Sequence, residues 1–428
     1  MRGIDTYRCE GISGMQNRET DIQGSLFGAA LTPMKGESII FLAKEWGQEY
    51  TSCDAIFEEI AKRNKVLWVN SIATRTPNLA SVQDWRRIFN KLRRCLGGLS
   101  QVGPQAWLYQ PLFIPLPHSA LARKINLLLL RWSLRGQIRR IGMRQPQLWM
   151  FQPNGAFLIG HLDESVVVYY CTDEWSEFPH LDRAKVAVLE HELLEKADVC
   201  FAASEPLAES KKRYNPNTFL AVHGVDYERF VRALDPATAI PDDIAAIPRP
   251  LIGFFGVIRD HLDKDLLTKI ADSHPEWSLV LIGSIRMNVD ELRARPNIHF
   301  LGLRPIDALP GYCKYFSVGI IPYRQNDFIR NVNPIKLRQY LSAGLPVVST
   351  FMVEVQRLSH LVTIAHNHED FIAGIEEAVE TDTPLKRSQR SDAMRQEGWG
   401  EKVAHVCDRV MQTKAAKNQN MADRHIKT

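Results

Sequence analysis

The chain lacks the usual signals for a place in a membrane or outside the cell. None of its 428 residues belongs to an apolar run of about 18 residues, so the sequence predicts no membrane-spanning helix. It does not open with a charged-then-apolar leader, which argues against a signal peptide. The seven cysteines are scattered, odd in number and free of CxxC pairs, which favours free thiols in a reducing compartment. We therefore expect a cytoplasmic protein.

Patterns that hold a metal ion are also missing. His191 and Glu192 lack the second histidine of an H-E-x-x-H motif. Asp263 and Asp265 have D-x-D spacing, but they open a predicted helix, where acidic residues suit the helix dipole. We predict no essential metal and no cofactor.

One long stretch contains no acidic residue. Between Trp85 and Pro146 there are twelve Lys or Arg residues and no Asp or Glu, although the net charge of the chain is only +4. Such an excess indicates an anionic neighbour. Residues 122–144 within it alternate leucines, Trp132 and arginines, which fits a helix face laid on an anionic bilayer. A core helix with a solvated basic rim is the alternative. Nucleic-acid binding is not expected, because no recognised module accompanies the charge.

The residues that are present form an alternating α/β pattern. Apolar strand-like runs such as ESIIFLA (37–43), KVLWVN (65–70) and SVVVYYC (165–171) alternate with amphipathic helical segments. This alternation predicts parallel sheets covered on both faces. It stops in a proline-rich segment, 233–250, and restarts at LIGFFG (251–256). Because the chain is too long for one ordinary core, we predict two doubly wound α/β domains joined by one linker.

The predicted boundaries follow from these breaks. They are a disordered extension (1–35), a first domain (36–235), a linker (236–249), a second domain (250–385), a last helix (386–412) and a disordered tail (413–428).

The segment NPIKLRQYLSAGLPVVST (333–350) predicts a helix with defined ends. Asn333 can cap the helix through its side-chain oxygen, and Pro334 suits the first helical position. Gly344 suits a left-handed stop before the strand LPVVST (345–350).

Inside this helix, Lys336, Gln339 and Tyr340 share one face through their i, i+3 and i+4 spacing. The helix also follows the carboxyl end of a predicted strand, where open α/β sheets bind ligands. An anion there would meet free backbone amides, the positive helix end and a lysine ammonium, a combination that suits a nucleotide diphosphate. A solvated lysine on an amphipathic helix is the alternative.

Other candidates follow further strands. Asp173 follows SVVVYYC with only Thr172 between, at a place where a carboxylate could act as a general base; a capping or turn role is the alternative, and Glu174 and Glu177 are less favoured. In the first turn of the second domain, Gly256 lets a backbone approach phosphate and Arg259 can bind its oxygens. The remaining candidates are Gly283 in the turn LIGS, and His223 with Gly224 at the end of the first domain. A tight structural turn that binds no ligand is the alternative for Gly256, for Gly283 and for the His223–Gly224 pair.

Together these segments resemble a known family. The chain, over about residues 36–380, resembles B-type-fold glycosyltransferases of bacterial surface polysaccharide synthesis, in their teichuronic-acid-type branch. The segments that carry the resemblance are VVYYCTDEWSEF (167–178), AVHGVD (221–226), LIGFFGVIRDHLD (251–263), NIHFLGLRPIDALPGY (297–312) and the K-L-x-Q-Y core (336–340), which is similar to that of the xanthan glucuronosyltransferase.

The resemblance implies two Rossmann-like domains that face each other across a cleft, the first binding the acceptor and the second the nucleotide sugar. It also implies a role for several residues. It implies that Lys336 contacts the phosphates of a nucleotide-sugar donor, that Gln339 lies near the nucleotide and that Asp173 is the base. Most relatives in the wider superfamily carry Glu at the Gln339 position, so this chain departs from the pattern there. The predicted donor site consists of Lys336 and Gln339 with Asn333, Tyr340, Gly256, Arg259 and Gly283. His223 and Gly224 are placed in the acceptor cleft.

The expected activity is transfer of a sugar from a nucleotide-sugar donor to a hydroxyl of a lipid-linked glycan at the inner leaflet of the plasma membrane. A nucleotide-sugar epimerase or hydrolase on the same fold is one alternative, and a non-catalytic nucleotide-sugar-binding protein is another. Stereochemistry, donor sugar, base and acceptor stay open.

Overall fold

The computed structural model describes residues 34–47, 50–71, 98–116, 119–178 and 181–426, with side chains described as far as residue 423. The predicted extension lies almost wholly outside these ranges. Its last part does not, because Met34 is buried against the first core.

The first sheet has eight strands in the order β3-β4-β2-β1-β5-β6-β7-β8. All neighbours are parallel except β3 and β4, which form an antiparallel hairpin because only Pro104 and Gln105 separate them, too few residues for a crossover. The strands are β1 (Ser38–Leu42), β2 (Lys65–Val69), β3 (Leu99–Gly103), β4 (Ala106–Tyr109), β5 (Gln147–Met150), β6 (Val166–Cys171), β7 (Val199–Ala202) and β8 (Thr218–Leu220).

The second sheet has six strands in the order β11-β10-β9-β12-β13-β14, all parallel. They are β9 (Leu251–Phe255), β10 (Ser278–Ile282), β11 (Ile298–Gly302), β12 (Val318–Ile321), β13 (Val347–Thr350) and β14 (Thr363–Ala365). In both sheets the chain order reverses about an interior strand, so the sheets are doubly wound and the predicted fold class is confirmed.

Helices cover both faces of each sheet. The described helices are α1 (Ser52–Ala61), α2 (Ala120–Arg140), α3 (Arg183–Lys196), α4 (Glu205–Lys212), α5 (Tyr227–Phe230), α6 (Asp242–Ala245), α7 (Lys264–Ser273), α8 (Asp290–Arg293), α9 (Leu309–Tyr315), α10 (Asp327–Arg330), α11 (Ile335–Ser342), α12 (Val353–Gln356), α13 (His368–Thr381), α14 (Pro384–Ala393) and α15 (Trp399–Ile426).

The strands alternate their side chains between two layers of core. In β1, Ile39 and Phe41 pack with α1 and α15 on one face, whereas Ile40 and Leu42 pack with α2 and α3 on the other. All four are buried, as expected for parallel strands covered on both sides. This two-sided burial explains why the strands are nearly continuous apolar runs in the sequence.

The chain enters the second domain earlier than the predicted boundary at 235. Val225, Tyr227 and Phe230 already belong to the second core, and so do Ile244 and Ile247 of the predicted linker. The prolines of this segment predicted a linker, but the apolar residues between them pack into the second core and are not exposed to solvent. The predicted linker is therefore largely part of the second domain.

The C-terminal prediction is wrong in two respects. The single helix expected over 386–412 is two helices, α14 and α15, and the tail expected to be disordered continues α15 to Ile426. Trp399, Val403 and Val410 of α15 pack into the core of the first domain, so this helix crosses back to it. The sequence pattern gave no sign of that return, since the first-domain residues that α15 packs against lie more than 170 positions earlier.

The structure bears on the predictions about membrane-spanning helices and about the cysteines. No helix among them is long and apolar enough to cross a membrane. The five described cysteines, Cys53, Cys171, Cys200, Cys313 and Cys407, are free and buried, as predicted for thiols outside a disulfide framework.

Candidate active site

The candidate site lies where the carboxyl ends of the two sheets meet. Phe178, from the loop after β6, packs against Phe328 of α10 with ring centroids 5.3 Å apart, and the guanidinium of Arg259 lies 5.6 Å from the Phe178 ring centroid. The Ser204 hydroxyl donates to the carbonyl of Asn331 at 2.7 Å. Residues from strand ends of both domains thus share one cleft.

Two glycine turns form its floor in the second domain. Gly256 and Gly283 follow β9 and β10 and have φ of 139° and 146°, which side-chain-bearing residues rarely adopt. A Cβ on Gly283 would lie 1.9 Å from the carbonyl oxygen of Gly256, and a Cβ on Gly256 would lie 3.0 Å from Cε of Lys336. Only glycine fits at Gly283, and the bare Gly256 backbone faces the lysine side chain.

Lys336 projects from the first turn of α11 toward these turns. Its Nζ donates to the hydroxyl of Tyr323 at 2.5 Å and lies 5.3 Å from the Phe254 ring centroid. No carboxylate among the described residues forms an ion pair with Lys336. Aromatic faces hold the cation in place without neutralising it, so its charge remains available to an anion.

Arg259 and His261 line the cleft near Lys336. Burial, with Lys336 and then Arg259 nearby, lowers the pKa of His261 to about 3. The imidazole is therefore neutral at physiological pH, and its ring packs edge-on against Tyr323 at 4.5 Å between centroids. The cleft thus contains two permanent cations and a neutral imidazole that can donate or accept a hydrogen bond.

Asp173 is the carboxylate that the first domain brings to this cleft. Burial raises its pKa, while the hydrogen bond from the Thr172 hydroxyl, at 3.0 Å, and the charge of Arg259 act in the opposite direction. A carboxylate that is partly shielded from water and close to a cation is suited to accept a proton from a substrate hydroxyl. The neighbouring Glu174 is instead bound to Lys211 at 2.8 Å, and Glu177 to Arg183 at 2.7 Å.

The structure moves Tyr340 out of the predicted donor site. Its ring is fully buried beneath Gly319, and its hydroxyl accepts a hydrogen bond from the Phe255 amide at 3.0 Å. Tyr340 has the helical spacing predicted for a face shared with Lys336 and Gln339, but its own side chain packs in the core. Tyr340 therefore supports the end of β9 from below and does not face the cleft.

Asn333 does not cap α11, so that prediction is wrong. The helix begins at Ile335, with Pro334 at the cap position. The Asn333 side-chain amide donates to the carbonyl of Ala203 at 2.8 Å and its oxygen accepts from Arg338 at 3.1 Å. The Asn333 side chain therefore links the two domains. The local sequence could not predict this contact, because Ala203 lies in the other domain.

Gln339 is buried, yet within the described ranges no hydrogen bond engages its side-chain amide. A neutral amide can contact ribose hydroxyls, although it lacks the charge of the Glu found in relatives. Its position one turn beyond Lys336 keeps it a candidate for the nucleotide.

His223 and Gly224 lie at the junction between the domains. The Nδ1 of His223 is 3.1 Å from the carbonyl oxygen of Asn333, and burial lowers its pKa to about 4. Its buried Nε2 has no hydrogen-bond partner among the described residues. A Cβ on Gly224 would lie 2.8 Å from the Trp399 backbone, so this glycine permits the close approach of α15.

The tempting D-x-D pair has a structural role at its first position. Asp263 accepts from the Leu266 amide at 3.0 Å, capping α7, and its other oxygen is 2.9 Å from Nε2 of His368. No group of three or more potential metal ligands occurs among the described residues.

Sequence reasoning missed His261 and Tyr323. Tyr323 follows β12, and its place at the carboxyl end of a strand is the signal that could have identified it. His261 lies within the quoted turn LIGFFGVIRDHLD, two residues after Arg259, and could have been found by tracing that turn further.

Comparisons with known proteins relate the chain to glycosyltransferases. Residues 249–381 match the sequence model described as Glycosyl transferases group 1. The putative teichuronic acid biosynthesis glycosyltransferase TuaH of Bacillus subtilis (strain 168) is 26% identical in an alignment that covers 58% of this chain and 68% of the relative.

Solved structures of B-type glycosyltransferases share the fold. Anabaena Alr3699/HepE in complex with UDP-glucose superposes with a TM-score of 0.56 at 11% identity, covering 90% of this chain and 99% of the other. The α,α-trehalose 6-phosphate synthase of Burkholderia multivorans gives 0.61 at 11% identity, covering 90% and 100%. The chain therefore has the B-type glycosyltransferase fold, and its residues 249–381 match a group 1 glycosyl transferase domain; with the similarity to TuaH, these findings support a glycosyltransferase.

Proposed function

We propose that the protein transfers a sugar from a nucleoside-diphosphate sugar to a hydroxyl of a lipid-linked glycan in bacterial surface polysaccharide synthesis. The observation that carries the proposal is the unneutralised Lys336 ammonium beside two side-chain-free turns, across the cleft from Asp173. The similarity to TuaH supports the choice of pathway.

In this proposal the donor diphosphate lies against Gly256 and Gly283, with Lys336 and Arg259 meeting its charge. As the bond to the sugar breaks, negative charge grows on the leaving phosphate, where preorganised cations and the amides at the start of α11 stabilise it. Two cations and helix amides supply this stabilisation without a metal ion. Gln339 faces the nucleotide.

Asp173 acts as the general base if the anomeric carbon is inverted. It then takes the proton from the acceptor hydroxyl while the nucleoside diphosphate leaves from the opposite side. Binding energy from the rest of the acceptor holds the hydroxyl in position for attack.

A thermal-shift screen against nucleoside diphosphates and their sugars tests the donor site. Saturation at about 100 times Kd stabilises a protein by about 2.7 kcal/mol, so one nucleoside diphosphate is expected to raise Tm clearly above the rest. Lys336→Ala is expected to weaken that binding by about tenfold or more, since it removes one charged phosphate contact.

Lys269→Ala is the matched control, because Lys269 is a lysine of the same domain that pairs with Glu369 on the surface. Its loss should leave the ligand-induced shift unchanged. Equal shifts for wild type and Lys336→Ala would reject the donor site as described.

Turnover separates the rival functions. An epimerase or hydrolase on this fold would consume donor without an acceptor. A non-catalytic protein, for which Gln339 gives some support, would bind donor and never release free nucleoside diphosphate. The proposed transferase releases it in proportion to added glycan acceptor.

A further inference from the structure

The surface of α2 carries two apolar faces, and one of them has no partner among the described residues. Ala122, Asn126, Leu130, Leu134 and Ile138 line its buried face at intervals of four residues. At 100° per residue, Leu121, Ile125, Leu128 and Trp132 project from the opposite side. These four residues are called the outer stripe.

The outer stripe is strongly exposed. Leu121, Leu128 and Trp132 have 69%, 67% and 81% of their surface accessible, and Ile125 and Leu129 are also exposed. Single exposed leucines are ordinary, but four large apolar side chains in one row, over about 16 Å of helix, form a contiguous patch. A contiguous apolar patch of this kind marks an interaction surface.

Charge on one flank of the outer stripe indicates its partner. Lys124, Arg131 and Arg135 lie beside it on the helical wheel, and Arg139 and Arg140 follow at its end. Arg135 pairs with Asp163, but no carboxylate among the described residues pairs with Lys124 or Arg131. From 98 to 146 the sequence contains no acidic residue.

The position of α2 relates this surface to the cleft. The strand β4 ends at Tyr109, and the chain then passes along the carboxyl edge of the sheet before α2 begins. Leu112 and Leu116 in that connection are also exposed. The apolar surface therefore starts at the same edge of the sheet as Asp173, which follows β6, and runs away from the cleft along the helix.

We propose that the outer stripe docks on the surface of a bilayer containing anionic lipid, with Leu121, Leu128 and Trp132 entering the headgroup boundary and Lys124 and Arg131 meeting lipid phosphates. An apolar helix face bordered by Lys and Arg is the physical pattern of an interfacial helix. The inference rests on the proposed function in one respect: docking would bring the cleft edge to a lipid-linked acceptor.

Sedimentation with vesicles tests the surface directly. The full chain is mixed with vesicles of phosphatidylcholine alone or of phosphatidylcholine with 30 mol% phosphatidylglycerol, about the anionic content that gives a strong surface potential. We expect at least about tenfold stronger binding to the anionic vesicles, falling as salt rises.

Two variants separate the apolar and charged contributions. Leu128→Ser combined with Trp132→Ser, and Lys124→Gln combined with Arg131→Gln, should each weaken binding to anionic vesicles by about tenfold. Val188→Ser on α3 is the matched control, because Val188 is equally exposed at 67% and lies outside the stripe. All of these positions are on the surface, so melting temperatures should remain unchanged.

Three results would overturn the inference. They are equal recovery of wild type in the supernatant with both vesicle types, equal binding by the stripe variant and wild type, and a concentration-dependent dimer that the stripe variant abolishes, which would assign the stripe to a second copy of the chain.

Turnover of a water-soluble acceptor by the stripe variant separates failure of the docking inference from failure of the proposed function. Loss of vesicle binding with soluble-acceptor activity retained supports docking. Absence of transferase activity in wild type itself would reject the proposed function while leaving the vesicle result intact.

Discussion

At the scale of single residues, the proposed mechanism depends on how burial in the cleft changes the pKa of Asp173. Burial raises the pKa of Asp173, and the base is active only when ionised. We expect kcat/KM to fall on the acid side at a higher pH than an ordinary aspartate would give. If the reaction inverts the anomeric carbon, Asp173→Asn should lower kcat by about 10²–10⁴-fold and remove this limb from the pH profile. His261 cannot produce the limb, because its pKa lies near 3.

Glu177→Gln is the control, since Glu177 lies in the same loop but pairs with Arg183. It should change kcat little and leave the acid limb in place. Loss of activity on Glu177→Gln with retention on Asp173→Asn would transfer the role to the other carboxylate.

Local sequence placed Lys336 correctly at the beginning of a helix, because spacing and turn residues fix a helix start within about two positions. It could not place Asn333 and Tyr340. Asn333 is held by Ala203, 130 positions earlier, and Tyr340 by the Phe255 amide, 85 positions earlier. Helical periodicity shows that residues share a face, but only the tertiary neighbours decide whether that face meets core or cleft.

At the scale of elements, the two glycine turns keep the ends of β9 and β10 free of side chains at the proposed donor site. Gly283→Ala should lower the free energy of unfolding by about 1–3 kcal/mol from backbone conformation alone, and by more from the clash with the Gly256 carbonyl. Chemical denaturation measures the change, and donor affinity should fall with it because the turn must move.

Gly136→Ala in α2 is the control. Its added Cβ would meet nothing within 4 Å, so the substitution should raise helix stability by about 0.5–1 kcal/mol. Similar destabilisation by both substitutions would show that the close contact at Gly283 is not what constrains it.

The strands themselves were the most predictable elements. Apolar runs such as SVVVYYC became β6, because a strand buried on both faces has to be apolar throughout. The sequence did not predict the β3–β4 hairpin. The residues of β3, Leu99–Gly103, are half-buried or exposed and do not form an apolar run.

At the scale of the whole molecule, α15 fastens the second domain to the first. Trp399 is buried in the first core and packs beside Gly224 and His223 at the junction. Trp399→Ala should lower the free energy of unfolding by about 3–5 kcal/mol, as for other large core residues, and should raise KM by loosening the cleft.

Met421→Ala on the same helix is the control, because Met421 is exposed and should change stability by no more than about 0.5 kcal/mol. A stability loss at Trp399 no greater than at Met421 would contradict the proposed fastening. This long-range return was invisible in the sequence, where α15 reads only as one more amphipathic helix.

The most direct test of the central claim is a crystal structure with the nucleoside diphosphate that gives the largest thermal shift. The account predicts phosphate oxygens within hydrogen-bonding distance of Lys336 Nζ, beside the backbones of Gly256 and Gly283. A diphosphate bound elsewhere, with Lys336 still directed only at Tyr323, would contradict it.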